Sequence, residues 1–565
     1  MGFGRRASFA LLGMLAAASA EAATATNLRV LVQKGQAFVT FTEVAGSGVT
    51  YQVYRSANPI NSVSGLTPVA TLPQGSGLNR YTGQMFIITD MGSPLSPQTG
   101  LLVWTTSSSG NYYYAVTNSA DSSLAPGSNV LTSPANEVAQ PVPGSIQLKA
   151  PYLEFGAGSH QVTEYFAWED YATWDHARWP YYGHRYNVLV LPSGLQPGVK
   201  YPLMLRLHAA DESGYKEPPG GGGNTLGVTV IPRDNSFEFS SPDPYTGTNH
   251  SWSFWYGWKR SDNVVINTTE RRIVRYVLIT RDDPKFQIDP NRLHVSGVSL
   301  GGGGSMHLAY HYPTVFASAA PTIGWVDPTT TRGNLPYEPF LGMRVENGQL
   351  WEEWVDQRWL VEHRSPLKPP IIYTFAKDDN ILPPTGYPPL FTATEANKDA
   401  YIAKWQNGGH NAFFLSGAAS WARYKSNEAY PAFANSTNSD PLSATQGQRN
   451  LNLDWSSALN SHGVGTDISD SSTAFSMSFK SLTLDASADV TIRNAQAFVP
   501  AAGEVVTWTN ALPSGTVIES GSATANASGL VTMRLQIRAA GNRLTLRRQP
   551  GSTPPAAPLN LRVIR

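Results

Sequence analysis

The sequence predicts an α/β core, a doubly wound and mostly parallel sheet, set between two all-β sandwiches. Three observations carry this reading. Between about residues 150 and 437, short apolar runs alternate with helix-like segments, as strands joined by crossover helices do. From Asn27 to about Gln140 apolar residues recur at every second position in short runs punctuated by Gly, Ser, Asn and Pro, the pattern of half-buried strands. After about Asn438 the helical signal ends and that alternation returns.

In order, residues 1–22 combine Arg5-Arg6, an apolar stretch from Phe9 to Ala18 and small residues ending at Ala22, the build of a cleaved secretory signal. The stretch is shorter than the ~20 residues a bilayer span needs, so no membrane anchor is expected and the protein is expected to be secreted or periplasmic. Residues 25–140 carry Leu28-Val30-Val32, Val39-Phe41, Tyr51-Val53 and Tyr112-Tyr114-Val116, a first sandwich. The runs Tyr51 to Arg55 and Gly110 to Val116 resemble fibronectin type III domains, which implies a spacer-like module. Residues 438–548, with Phe475-Met477-Phe479, Val531-Met533-Leu535-Ile537 and Leu544-Leu546, make the second sandwich, and residues 549–565 a Pro-rich tail.

The central segment, residues 150–437, opens with strands Tyr186 to Leu191, Tyr201 to His208 and Gly227 to Ile231. Asn267-Thr268-Thr269-Glu270 has the spacing of a capping box, and Ile273, Val274, Val277 and Leu278 follow on one helical face. Leu293-His294-Val295 then leads into Gly297-Val298-Ser299-Leu300-Gly301 and a helix expected over Ser305 to His311. A strand, a tight turn bearing a serine and a helix hold a hydroxyl out where a base can reach it, and small residues on either side let strand and helix cross closely. Gly302, Gly303 and Gly304 each cost a helix up to roughly 1 kcal/mol relative to Ala, so something other than helix stability selects them. Further on come strand Ile371 to Phe375, a helix from about Thr392 to Trp405, and Gly408-Gly409-His410. The long connection from Trp325 to Lys368, with Trp351, Trp354 and Trp359, is either a cap over the site or a packed surface element.

A nucleophilic serine needs a base, and the base an orienting acid. The chain supplies Ser299, the pair Asp378-Asp379 after a strand, and His410 after a Gly-Gly turn, 31 positions beyond Asp379. In this respect the chain resembles α/β-hydrolase-fold serine esterases, in particular secreted feruloyl esterases and polyhydroxyalkanoate depolymerases, and the related peptidases near prolyl oligopeptidase. The run Asp289 to Gly302 is the strongest part of a likeness covering about Tyr186 to Phe414. The resemblance implies an ester hydrolase acting through Ser299, Asp379 and His410. The acid in that family lies four residues before a proline, and Pro383 picks out Asp379; the alternation of directions along a strand adds that only one of the pair can face the histidine. The oxyanion donors are expected to be the N–H of Leu300 and that of Ala209 or Ala210. His208-Ala209 and Phe375-Ala376 stand where the family has His-Gly.

Trp252, Trp255 and Trp258 crowd the segment before the capping box, either as an aromatic wall for substrate or as core. No His/Asp/Glu cluster is read as a metal site, so an enzyme without metal or cofactor is expected. Lys+Arg and Asp+Glu are both 41, which gives no basic face for a nucleic acid, and with no cysteine any thiolate chemistry is excluded. Aromatics at 11% against 15% charged residues fit a protein that meets sugars or uncharged polymers, so a polymeric or polysaccharide-linked ester is the expected partner. A serine peptidase is the alternative enzyme, since the same triad cleaves amides; a polymer-binding protein on a hydrolase scaffold is the alternative outside enzymes.

Overall fold

The computed structural model describes residues 24–79, 83–144, 147–148, 160–168, 171, 184–192, 195–209, 227–232, 253–259, 262–331, 340–364, 367–410, 421–457 and 464–549. The signal-like segment and the Pro-rich tail from Pro550 lie outside these residues. Among the described residues the chain divides into two compact units, one of residues 1–88, 93–144 and 169–183, the other of residues 89–92, 145–168 and 184–565.

In the first unit, strands Thr26–Gln33, Gln36–Thr42 and Thr99–Thr105 form one antiparallel sheet, and Ala70–Pro73, Thr50–Ser56, Gly110–Asn118 and Ala135–Glu137 a second. Alternation does the work the sequence pattern implied: Tyr51 and Val53 are fully buried while Thr50 and Gln52, which precede them, are exposed. Tyr171 returns to this unit, its hydroxyl donating to Thr71 O at 2.7 Å and accepting from Thr71 N at 2.9 Å.

The second unit is built on a ten-stranded sheet. Eight of its strands are named here: β1 (His160–Trp168), β2 (His184–Pro192), β3 (Tyr201–Leu207), β4 (Val228–Pro232), β5 (Ile288–Val298), β6 (Ser318–Thr322), β7 (Ile371–Ala376) and β8 (Tyr401–Gln406). Their spatial order is β1-β2-β4-β3-β5-β6-β7-β8, with Gln147–Leu148 and Gly447–Arg449 on the two edges. Every neighbouring pair from β4 through β8 is parallel, while β1, β2 and the edge strands run antiparallel to their neighbours. The doubly wound, mostly parallel sheet of the sequence reading is thus observed. Strands β3 and β7 are mostly apolar and buried at all but one or two positions, as a sheet covered on both faces demands.

Helix α1 (Thr268–Asp282) and helix α2 (Leu300–His311) both pack against β3 and β5. α1 buries Ile273, Val274, Val277 and Ile279, and the Asp283 N–H bond to Ile279 O closes it just before Pro284. Two details correct the sequence reading. Asn267 makes no side-chain cap hydrogen bond, and Glu270 turns inward to His307 and His311 instead of back to the N-cap, so the spacing is not a capping box. The segment 392–405 is not one helix either: α3 (Trp351–Trp354) and α4 (Gln357–His363) precede α5 (Tyr387–Ala396), which ends before Lys398 at φ 59°, after which Tyr401–Gln406 becomes strand β8. Fully or nearly fully buried Tyr401, Ala403 and Trp405 are two residues apart, a strand period that the flanking helix-formers mask.

Beyond β8, Tyr430–Ala434 joins Ala486–Arg493 and Thr532–Ile537 in an antiparallel sheet, facing a second antiparallel sheet that contains Ala474–Ser481, Asn542–Arg548 and Val505–Ala511. Phe433, Val490 and Leu535 from one sheet and Phe475, Met477 and Leu546 from the other share a core with Ile372 of β7 and Ile402 of β8. The boundary expected at 437 therefore falls in an interleaved region: a strand before it pairs with the C-terminal sheet, and Gly447–Arg449 after it pairs with β8. Lys368, Arg493 and Asp399 form a buried ion cluster across the same region. No helix among the described residues is long and apolar enough to cross a membrane.

Candidate active site

The site begins with backbone conformation. Ser299 lies between β5 and α2 at φ 55° and ψ −115°, a conformation that a residue with a Cβ adopts only where its surroundings enforce it. Those surroundings are visible. Ser299 N–H donates to Thr322 O at the end of β6, 2.9 Å away, and Gly303 N–H donates to Ser299 O at 3.1 Å. A Cβ on Gly297 would lie 2.1 Å from Gly301 O, and one on Gly301 would lie 2.3 Å from Leu207 O and 2.6 Å from His208 O. Strand, turn and helix cross at backbone contact, which only glycine permits there.

The same measure accounts for the glycine run inside the helix. α2 begins at Leu300, not at Ser305, so Gly301 to Gly304 are helical. A Cβ on Gly302 would meet Gly324 Cα at 2.7 Å, one on Gly303 the indole Nε1 of Trp325 at 2.0 Å, and one on Gly304 the Cβ of Trp255 at 2.6 Å. Helix propensity is given up so that α2 can lie directly on β6's exit and on two buried tryptophans.

Three side chains converge at the elbow. Ser299 Oγ is 2.7 Å from His410 Nε2, and His410 Nδ1 is 2.7 Å from Asp379 Oδ2. The other Asp379 oxygen accepts the N–H groups of Ile381 and Leu382, both at 2.9 Å, so the carboxylate has a fixed orientation. Its side chain is 2% exposed against 15% for His410: the acid is enclosed while the imidazole reaches solvent. Asp378 points elsewhere. It is exposed, and its Oδ2 accepts Gly408 N–H at 3.0 Å while its own N–H donates to Gly408 O at 3.1 Å. Asp378 thus ties the acid loop to the histidine loop, and Gly408, at φ 131°, takes a conformation few side chains allow. Tyr387 stacks its ring on Phe375 at 4.2 Å and donates its hydroxyl to Gly324 O; burial, with the Asp379 carboxylate nearby, pushes its pKa up strongly.

Leu300 is the first residue of α2, so its N–H has no intrahelical acceptor. Leu207 on β3 pairs with Gly297 on β5, and the chain leaving β3 passes over Gly301, which brings Ala209 beside the start of α2. His208, 3% exposed, uses Nδ1 toward Ala209 O at 2.8 Å and sets its ring edge against Trp255 at 4.7 Å, holding that loop. Ala210 and Trp252 lie outside the described residues, as does the side chain of Trp258. Trp255 is a correction: it is fully buried against Gly304 behind the elbow, so it is core and not a wall facing substrate. Of the long connection, Trp325 and Trp351 are core, while Trp354 stacks on His311 at 5.1 Å; α3 and α4 flank α2 as packed structure.

The sequence reading missed one cluster. Glu270 of α1 and His307 and His311 of α2 meet in the interior, both imidazole Nδ1 atoms lying 2.7 Å from Glu270 Oε1. The signal was present as histidines four apart on one helix, a recurring metal-ligand spacing; assigning Glu270 to a capping box hid its third member.

Residues 272–428 match the model of the Esterase family, and Ser299, Asp379 and His410 all fall inside the match. This part of the chain is similar to the putative esterases that the family model describes. No curated protein sequence matches the chain. Among solved structures, the S-formylglutathione hydrolase of Agrobacterium tumefaciens is similar over 47% of this chain and 92% of that one, at 16% identity and a TM-score of 0.36. Acetyl xylan esterase 1 of Thermoanaerobacterium sp. JW/SL YS485 is similar over 49% and 86%, at 15% identity and a TM-score of 0.35. A ferulic acid esterase is similar over 45% and 92%, at 13% identity and a TM-score of 0.29.

Proposed function

We propose that the protein is a secreted serine hydrolase that cleaves carboxylic esters, polymeric or polysaccharide-linked, through an acyl-enzyme on Ser299. The observation that carries the reading is the unbroken relay Ser299 Oγ to His410 Nε2 to Asp379 Oδ2, with 2.7 Å at each step, mounted on a strained elbow. A hydroxyl is a weak nucleophile by itself and becomes effective when a base removes its proton as it attacks.

Ser299 Oγ adds to the ester carbonyl as its proton passes to His410 Nε2. Asp379, accepting from Nδ1–H, keeps the imidazole in the tautomer whose Nε2 lone pair faces the serine, and stabilises the imidazolium. The carbonyl oxygen becomes an oxyanion, held by the N–H of Leu300 and that of Ala209 or Ala210. Collapse expels the alcohol, which takes its proton from His410, and leaves an acyl group on Ser299. Water then repeats the sequence, with His410 as base, and releases the acid. Secretion is supported by the signal-like segment before Ala22, and the 3 + 4 strand arrangement of the first unit supports a fibronectin type III-like spacer that takes no part in the chemistry. The C-terminal pair of sheets is read as a second sandwich.

Release of nitrophenol from a nitrophenyl ester, compared with release from a peptide anilide, tests the reading. Turnover of the ester with the anilide at least 100-fold slower is the expected outcome; preference for the anilide would make the protein a peptidase.

A further inference from the structure

We infer that Glu270, His307 and His311 form a structural site for one divalent transition-metal ion of the zinc class, pinning α1 to the helix that carries the elbow serine. The three residues bring one ligand atom each to within 4.8 Å of one another, and their side chains are 1%, 0% and 4% exposed. Two imidazoles and a carboxylate are a zinc donor set.

The hydrogen bonds around the cluster settle which atoms would ligate. A backbone carbonyl only accepts, so His307 Nε2, 3.1 Å from Phe254 O, and His311 Nε2, 3.0 Å from Trp354 O, each carry the ring proton. In the neutral rings the Nδ1 atoms are then lone pairs, and both are aimed at the same carboxylate oxygen. Three acceptors facing one point repel unless protons or a cation lie between them. Two protons would bury a pair of imidazoliums away from water beside a single carboxylate. A metal ion asks only for neutral imidazoles and an ionised carboxylate. Donation of the far ring N–H to a carbonyl is also what orients metal-bound histidines.

An independent observation concerns Glu270 Oε2. It is buried and has no hydrogen-bond partner among the described residues. A charged oxygen left so is costly, and an ion chelated by both carboxylate oxygens satisfies it. His307 Nδ1, His311 Nδ1 and the two Glu270 oxygens give four donors, enough to close a zinc site with no open position. Seating the ion at about 2.0–2.2 Å from each donor requires the carboxylate to draw back by about half an ångström. His311 lies in the last turn of α2, where the helix dipole favours a cation. The Tyr256 ring stands edge-on to both imidazoles, at 6.4 and 6.1 Å, and Trp354 stacks on His311, which closes the cluster to solvent. With no access for substrate, the ion's role is to staple α1 to α2, not to activate water.

The test uses the full chain purified without chelator, with metal content measured by inductively coupled plasma mass spectrometry. About one zinc per chain is expected. Stripping with dipicolinate and returning Zn²⁺ at roughly 100 times its Kd is expected to raise Tm by about 5 °C, and Co²⁺ in its place to give the visible d–d bands of a tetrahedral centre. His311→Phe keeps a ring on Trp354 and removes a ligand nitrogen, so it is expected to hold under a tenth of an ion per chain and to show no zinc-dependent Tm shift. Should that variant not fold, the cobalt spectrum and the zinc shift of the unaltered chain decide. Wild-type protein that retains under a tenth of an ion after incubation with zinc, with an unchanged Tm, overturns the inference; so does a zinc shift that persists in His311→Phe.

Discussion

Replacing Asp379 by Asn tests how the acid loop works. Asp379 Oδ1 accepts two backbone N–H groups, from Ile381 and Leu382 at 2.9 Å each, and Oδ2 faces His410 Nδ1 at 2.7 Å. An Asn at this position keeps both loop hydrogen bonds only by placing its single oxygen where Oδ1 stands, which turns its NH₂ toward His410. That NH₂ donates to Nδ1, forces the ring proton onto Nε2, and leaves Ser299 facing a donor in place of a base. The variant therefore folds normally but holds the wrong tautomer. The serine-protease case of the same substitution costs about 10⁴ in kcat, or ~5.5 kcal/mol of transition-state stabilisation, and a loss of that order is expected. Asp378→Asn is the control: an Asn oxygen can still accept Gly408 N–H, so its activity stays within about tenfold, under ~1.4 kcal/mol. Steady-state kinetics of both variants on one nitrophenyl ester, with circular dichroism to confirm folding, provide the measurement. Asp379→Asn within tenfold of wild type, or Asp378→Asn as the more damaged of the two, would refute the reasoning.

Other variants probe the support around the site. Gly303→Ala places a methyl 2.0 Å from the Trp325 indole, so a gain of up to roughly 1 kcal/mol in helix propensity is outweighed by overpacking and a net loss of about 1–2 kcal/mol is expected in urea unfolding; a stabilised variant would contradict the packing account. Burial, with Asp327 nearby, raises the Asp356 pKa from 3.8 to about 6 although Arg358 and Trp359 N–H groups bond it. A raised folded pKa gives stability that is full below the unfolded value and lost as pH rises through the folded one, so between about pH 4 and 6 the charged form becomes a burden that an isosteric Asn never carries. Asp356→Asn is expected to match wild type in Tm near pH 4.5 and to exceed it by a few degrees at pH 7, and a pH-independent difference would count against this. A chain of residues 144–565 retains Ser299, Asp379 and His410 and is expected to keep kcat on a soluble nitrophenyl ester within a few-fold, with reduced solubility because Tyr171 loses its partner Thr71; a folded but inert truncation would give the first unit a role in catalysis.

The parts of the fold legible in the sequence are those fixed by local pattern. Tyr51 and Val53 alternate with exposed neighbours, and β5, the elbow and α2 follow one another as Gly-flanked serine motifs require. Strand geometry implies that only one of Asp378 and Asp379 faces the histidine, and the resemblance, through Pro383, picks out Asp379. What stayed hidden depends on distant neighbours. Gly303 and Gly304 read as helix breakers until Trp325 and Trp255, far along the chain, are seen to occupy the space a Cβ would need. Trp255 sat in an aromatic cluster whose two readings, wall or core, differ only in which side of α2 it meets. Glu270 fitted a capping box by spacing, but its partners are 37 and 41 residues away, so no local rule could find them. Tyr401 to Trp405 followed a helix closely enough that the change of period at Lys398 went unread.

Labelling with a fluorophosphonate probe tests the central claim, that Ser299 is the activated nucleophile. The wild-type protein is expected to take up one probe per chain, with the adduct mapped by mass spectrometry to the peptide containing Ser299, and Ser299→Ala to remain unlabelled and lose about 10⁴-fold or more of its esterase activity. An adduct on another serine, or a Ser299→Ala variant with activity within tenfold of wild type, would contradict it.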